Sequence, residues 1–234
     1  MDSSYHAELV ALVEKMPAFP KSVQRVVQLT SDIDVSAKEI VQVIECDPVL
    51  TAKILKVINS AFYGRSQKIS SVQRAVVHIG LNTVKNLAMS VAAMGMLKAS
   101  NMPGFSANAF LLHALTTAAI CRRLAERIGL SQQECGDSFV AGLLHDFGKV
   151  VFAEFMPERF QIALLKSRED NVSLHLVELE FIGMNHAEAG ALLTENWGVS
   201  DQLVEAIRHH HGQPVNAFGE CLLAQTARGV CGLS

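Results

Sequence analysis

Apolar positions along this chain recur at intervals of three and four residues, not in alternation. Val23, Val26, Val27 and Thr30 fall on one helical face, as do Ile40, Val43 and Ile44. Start signals recur as well. Ser36-x-x-Glu39, Ser70-x-x-Gln73, Ser131-x-x-Glu134 and Asn185-x-x-Glu188 have the form of capping boxes or close variants. Asp47-Pro48 places a capping carboxylate ahead of a first-turn proline, and the segment 46–64 predicts a long amphipathic helix ending at Gly64. There is no Asn-Gly hairpin signal, no sustained alternation and no tandem repeat. The pattern predicts an all-α protein.

A break falls at "KASNMPGFSAN" (98–108), with small residues, Met-Pro-Gly and a helix start at Ser106. It predicts an N-terminal helical subdomain over 1–100 and a second over 105–234. The first half carries the stiff "MPAFP" (16–20) and the second holds most of the histidines.

Helical spacing sorts those histidines. His113 shares a face with Ala109, Ile120 and Leu124, with Arg122 and Glu126 roughly opposite. His186 heads a stripe of Ala189, Gly190, Leu193 and Trp197. His210 and His211 continue the face set by Leu203 and Ile207, whereas His209 falls on the solvent side. His145 and Asp146 end the apolar approach of "AGLLHDFGKVV" (141–151). Each imidazole alone reads as a core histidine bonded to a carbonyl. Together, five histidines and one aspartate from four helices predict a convergence in the interior. That N/O donor set suits iron, manganese, zinc or nickel. His6, His78 and His175 read as surface or edge residues.

Composition narrows the setting. The chain has 234 residues, 50% hydrophobic and 18% charged, so it can bury a sizeable core. A formal net charge of −3 provides no general basic footprint for nucleic acid. Five cysteines without a CxxC pair read as reduced thiols. The N-terminus lacks the pattern of a secretory signal, and the longest nearly apolar run, Leu87 to Leu97, is too short to span a bilayer. A soluble, cytoplasmic protein without a membrane role is the expectation.

"LLHDFGK" resembles the His-Asp doublet of the HD superfamily of metal-dependent phosphohydrolases. "MPAFPKSVQRVVQLTSD", "VIECDPVLTAKILKVINSAFYG" and "KISSVQRAVVHIGLNTVKNLA" extend the resemblance to its HDOD branch, the HD-related output domain of bacterial signalling, over residues 14–230. The resemblance implies a multi-helix HD-like bundle. It also implies metal ligands at His113, His145, Asp146, His186, His210 and His211, and a phosphate contact at Lys149, which reads equally well as a solvated lysine. Two departures stand out. The superfamily's last aspartate falls on Gln225, and a glutamate that some relatives carry one turn before the first histidine falls on Ala109. "HHGQPVNAF" also replaces the Gly-Tyr-Pro loop of relatives that cleave cyclic di-GMP. Carboxylates are lost while imidazoles remain, and two-metal hydrolysis relies on carboxylates.

Two functions follow as expectations. The first is a signalling output or scaffold module with a degenerate site that binds metal. Its partners are response-regulator or cyclic-dinucleotide pathway components, with Phe62 and Tyr63 as a candidate contact. The second is a metal-dependent phosphohydrolase or phosphodiesterase acting on a nucleotide or cyclic dinucleotide, with Asp146 and Lys149 as its catalytic residues. The lost carboxylates favour the module. Nucleic-acid binding ranks a distant third.

Overall fold

The computed structural model describes residue 11 and residues 21–30, 36–60, 68–96 and 103–212. His6, the "MPAFP" entry, Phe62, Tyr63, Gly64, residues 98–102 of the 98–108 break and the final segment with Gln225 lie outside the described residues. Within them every element is helical and there is no strand. No described helix is long and apolar enough to cross a membrane.

Two compact units are present, and they do not follow chain order. Described residues between 17 and 98, together with 115–143, form one; those between 99 and 114, together with those from 144 onward, form the other.

The first unit contains α1 (Lys21–Thr30), α2 (Ala37–Glu45), α3 (Pro48–Ile58), α4 (Val72–Ile79) and α5 (Leu81–Met96). It also holds most of α6 (Ala107–Arg127) and nearly all of α7 (Gln132–Leu144). Val23, Val26, Ile40 and Ile44 are buried on the expected faces. Asp47 caps α3 by accepting from the Leu50 amide at 2.9 Å and from the Ser22 hydroxyl at 2.7 Å. Ser131 and Glu134 form the full reciprocal box: the Ser131 amide donates to Glu134 at 2.8 Å, and the Glu134 amide to Ser131 Oγ at 3.3 Å. Two boundaries differ from the sequence pattern. The cap of α4 is Ser71, one residue after the expected Ser70. Helix α3 stops at Ile58, well before Gly64, because the Asn59 amide side chain pairs with both backbone groups of Ile69 at 2.8 Å.

The buried face of α6 is also rotated from the expected one. Ala114, Ala118, Cys121 and Ala125 are fully buried, while Ala109 is exposed and Ile120 and Leu124 are half-buried. Arg122, expected to point outward, is 3% exposed and pairs with Glu126 at 3.3 Å. The reason is close packing. A Cβ on Gly142 of α7 would lie 2.7 Å from the Ala118 Cα, so small residues, not large apolar ones, define the contact.

The second unit contains α8 (Phe147–Phe155), α9 (Pro157–Asp170), α10 (Leu174–Phe181), α11 (His186–Asn196) and α12 (Asp201–Arg208). Phe152, Phe160, Leu164, Val177, Ile182 and Met184 form its apolar cluster. Helix α11 packs on α8 and α12. The α8–α11 crossing is built on glycines. A Cβ on Gly148 would fall on the His186 carbonyl oxygen, and one on Gly190 would come within 3.2 Å of the Gly148 nitrogen. The glycine of "HDFGK" therefore brings the His-Asp doublet beside His186.

Candidate metal centre

Each site residue sits at a helix end or on a helix flank, and all belong to the second unit. His145 and Asp146 form the turn between α7 and α8; His186 is the first residue of α11; His210 and His211 follow α12; His113 lies in the first part of α6. Asp146 occupies the N-cap position of α8, where an aspartate ordinarily accepts from the helix's own amides. Here its side chain makes no capping bond. Both oxygens turn instead toward the histidines.

The carboxylate is the centre of the arrangement. Asp146 Oδ1 lies 3.1 Å from His186 Nε2 and 3.6 Å from His210 Nε2. Oδ2 lies 3.3 Å from His113 Nε2, 3.4 Å from His145 Nε2 and 2.8 Å from Lys149 Nζ. His113 and His145 approach each other at 3.3 Å, and His211 Nε2 lies 2.8 Å from His186 Nε2. The structure thus brings the six expected ligands together in two groups sharing Asp146. One is Asp146, His186, His210 and His211; the other is His113, His145 and Asp146. Within each, one ligand atom per residue lies within 4.8 Å of the others.

Two further residues also belong here. Glu178, 0% exposed, accepts at Oε2 from the His186 amide at 2.8 Å and from His186 Nδ1 at 2.5 Å. The sequence signal for it was a charge on an apolar stripe, since Leu174, Val177, Glu178 and Phe181 share one face of α10. His175, expected at the surface or an edge, is half-buried and stacks on His211 with ring centroids 4.1 Å apart.

Hydrogen bonding fixes two of the tautomers. A carbonyl oxygen only accepts, so His210 Nδ1, 2.7 Å from the Ile207 carbonyl, carries the proton. Glu178 Oε2 already accepts from the His186 amide, so His186 Nδ1 carries the proton it shares with that same acceptor oxygen. In their neutral forms both rings then aim an Nε2 lone pair at the Asp146 carboxylate. His210 Nε2 is buried and has no hydrogen-bond partner.

Electrostatics agree. Burial would push the Asp146 carboxyl up, but His145, the Lys149 ammonium and hydrogen bonds from His113 and His186 hold it well below the usual carboxylate range. Burial lowers His145 to about 3 and also lowers His210 and His211, so these rings are neutral. His186 is raised: burial opposes its charge, but Glu178 and Asp146 on either side outweigh it. In the absence of a metal, a proton on His186 separates the two acids. A cation fits the same gap, and neutral imidazole with ionised carboxylate is the form that ligates one. The donor set contains no thiolate.

The profile of the HDOD domain matches residues 16–213. The chain belongs to the HDOD family. A candidate phosphohydrolase from Shewanella amazonensis SB2B superposes with a TM-score of 0.72 at 26% identity, over 93% of this chain and 78% of that one. A candidate signal transduction protein from Marinobacter aquaeolei VT8 gives 0.70 at 26% identity, over 97% of this chain and 56% of that one. An HDOD domain protein of unknown function from Geobacter sulfurreducens gives 0.72 at 24% identity, over 97% of this HDOD chain and 80% of its own length. An uncharacterized protein of Treponema pallidum (strain Nichols) is 28% identical over 208 residues, which is 89% of this chain and 40% of that protein. The HDOD chain therefore spans less than half the length of that curated relative.

Proposed function

We propose that this HDOD chain is a signalling output module whose HD-type centre binds a divalent transition metal. The observation that carries the metal reading is His210. Its Nδ1 is committed to a carbonyl, and its buried Nε2, without a hydrogen-bond partner, faces the ionised Asp146 carboxylate at 3.6 Å. His113, His145, Asp146, His186, His210 and His211 would hold the ion, and iron, manganese, zinc or nickel suits such donors. When bound, the ion would supply positive charge and Lewis acidity at this point. Lys149 neutralises the Oδ2 side of Asp146, and Glu178 holds the His186 ring in the ligating orientation.

Gln225 in place of an acidic ligand supports a module over an enzyme, as does Ala109 in place of glutamate. The signalling context rests on the HDOD assignment and on the Marinobacter relative, named as a candidate signal transduction protein. Response-regulator or cyclic-dinucleotide pathway proteins are the partners in this reading. The module would span 14–230 with two helical subdomains and act in the cytoplasm, a setting that suits unoxidised cysteines such as Cys46 and Cys135.

One observation favours a second reading, phosphate ester hydrolysis. His113, Asp146 and Lys149 line a pocket, and the Shewanella relative is named as a candidate phosphohydrolase. Elemental analysis of tag-free protein beside a phosphodiesterase assay with added manganese or iron decides between them. Stoichiometric metal without turnover supports the module. Turnover lost in Asp146→Ala makes the chain an enzyme. No metal under any loading condition overturns both.

A further inference from the structure

The pocket beside the Asp146–Lys149 pair has a composition and a size of its own. Its volume is about 130 Å³. Its apolar wall is aromatic: Phe105 lies 5.6 Å from Phe110 and 5.8 Å, edge-on, from Phe160. Its inner end is polar, formed by His113, Asp146 and Lys149. At its mouth the exposed Arg168 donates to the Gly104 carbonyl at 3.1 Å. All of these residues belong to one compact unit.

Size decides what can enter. An apolar cavity of about 150 Å³ takes one benzene ring. A pocket of about 130 Å³ therefore accommodates one flat ring or a short chain, not the two purines of a cyclic dinucleotide. The ends decide charge. Lys149 Nζ inside and Arg168 at the mouth are both cationic donors suited to phosphate oxygens.

We propose that the pocket takes a small organic phosphate with a single apolar ring, its ring against Phe105, Phe110 and Phe160 and its phosphate at Lys149. The proposal rests on the metal-centre reading, because a cation held by the histidines offsets the Asp146 charge facing the pocket and strengthens anion binding. It narrows the ligand beyond a generic nucleotide and assigns selectivity for the ring to the phenylalanines, with Arg168 adding to anion affinity.

The test is calorimetric titration of the full chain with phenyl phosphate, inorganic phosphate and a cyclic dinucleotide, with metal content measured on the same samples. Phenyl phosphate is expected to bind at least about tenfold tighter than inorganic phosphate, because only it fills the aromatic wall. The cyclic dinucleotide is expected not to compete. Ala109→Phe fills the pocket from an exposed position and should abolish the ring preference. Arg168→Ala, also exposed, should weaken phenyl phosphate and leave the ring preference in place. Both variants should keep the wild-type melting temperature, which separates ligand loss from unfolding. Equal affinity for the two phosphates, no phenyl phosphate binding by metal-loaded protein, or tighter dinucleotide binding overturns the proposal. Protein that takes up no metal under any loading condition, yet still prefers phenyl phosphate and loses that preference in Ala109→Phe, upholds the pocket while removing the metal reading.

Discussion

Asp137 and Asp146 stand nine residues apart in the chain, one in each compact unit, and meet opposite fates. Asp137 on α7 is half-buried and bonds to the Thr83 hydroxyl at 3.1 Å and to Asn86. Burial pushes its carboxyl up to about 6. Asp146 is more deeply buried, yet its carboxyl is held far down. Burial penalises both charges; what differs is the company. A hydroxyl and an amide stabilise a carboxylate weakly, whereas an ammonium at 2.8 Å and a ring of imidazoles reverse the balance. The first environment is a packing compromise and the second is a site.

The sharpest way to break this contrast is to neutralise each acid in turn. Asp146→Asn removes the one residue common to both ligand groups. It should abolish metal uptake at micromolar concentration, read by elemental analysis after dialysis. Asp137→Asn should leave metal content unchanged. If Asp146→Asn retained stoichiometric metal, the carboxylate would not be the centre of the site.

Next in size is Gly148→Ala. The added Cβ would meet backbone at the His186 carbonyl, where no side chain can swing aside. We expect about 3 kcal/mol of destabilisation, at the upper end for overpacking, measured by urea unfolding. Metal binding should weaken with it, since the same crossing sets the distance from Asp146 to His186. Full stability in this variant would mean that the crossing is looser than the glycines indicate.

Much of this architecture was legible beforehand. Capping signals at Ser36, Asp47, Ser131 and Asn185 depend on residues three apart, so local sequence suffices to find them. The stripe behind His186 was equally plain, because Ala189, Gly190, Leu193 and Trp197 are all buried. Features that depend on a second segment were harder. The end of α3 is set by Asn59 reaching Ile69, ten residues on. The orientation of α6 is set by Gly142, whose closeness to Ala118 favours small residues over the larger Ile120 and Leu124. The roles of Glu178 and His175 on α10 were hidden because their partners, His186 and His211, come from other elements.

A smaller effect tests the pH side of the comparison. Asp137 has a folded value near 6 against an ordinary 3.8, so between those values the folded chain binds the extra proton. The stability this contributes is complete below pH 3.8 and is lost as pH rises through 6. His145, His210 and His211 have the opposite sign in metal-free protein. Their folded values are lowered from 6.5, so their contribution is present above pH 6.5 and is lost as pH falls. Asp137→Asn should therefore stabilise the chain at pH 7.5 by about 1–2 kcal/mol, after allowing for partial exposure, and by little at pH 4. Denaturant unfolding at the two pH values checks this. An equal gain at both would point to packing, not to charge.

The smallest and most specific effect concerns Glu178, which never touches the ion's position and acts only through His186. Glu178→Gln keeps an oxygen that can accept from the His186 amide and from Nδ1, but removes the charge that raises the imidazole. Loss of such a carboxylate behind a ligating histidine weakens metal binding by about tenfold or more. Two readouts separate this from simple damage to the fold. In metal-free protein, the NMR titration of His186 should move downward, because a charge that raises it is gone. The fall in metal affinity with decreasing pH, produced by protons competing for His186, should then begin at lower pH than in the wild type. Weaker binding without these two shifts would make Glu178 a packing residue. Unchanged affinity would show that Asp146 alone, and not the pair of acids flanking His186, sets the centre's hold on a cation.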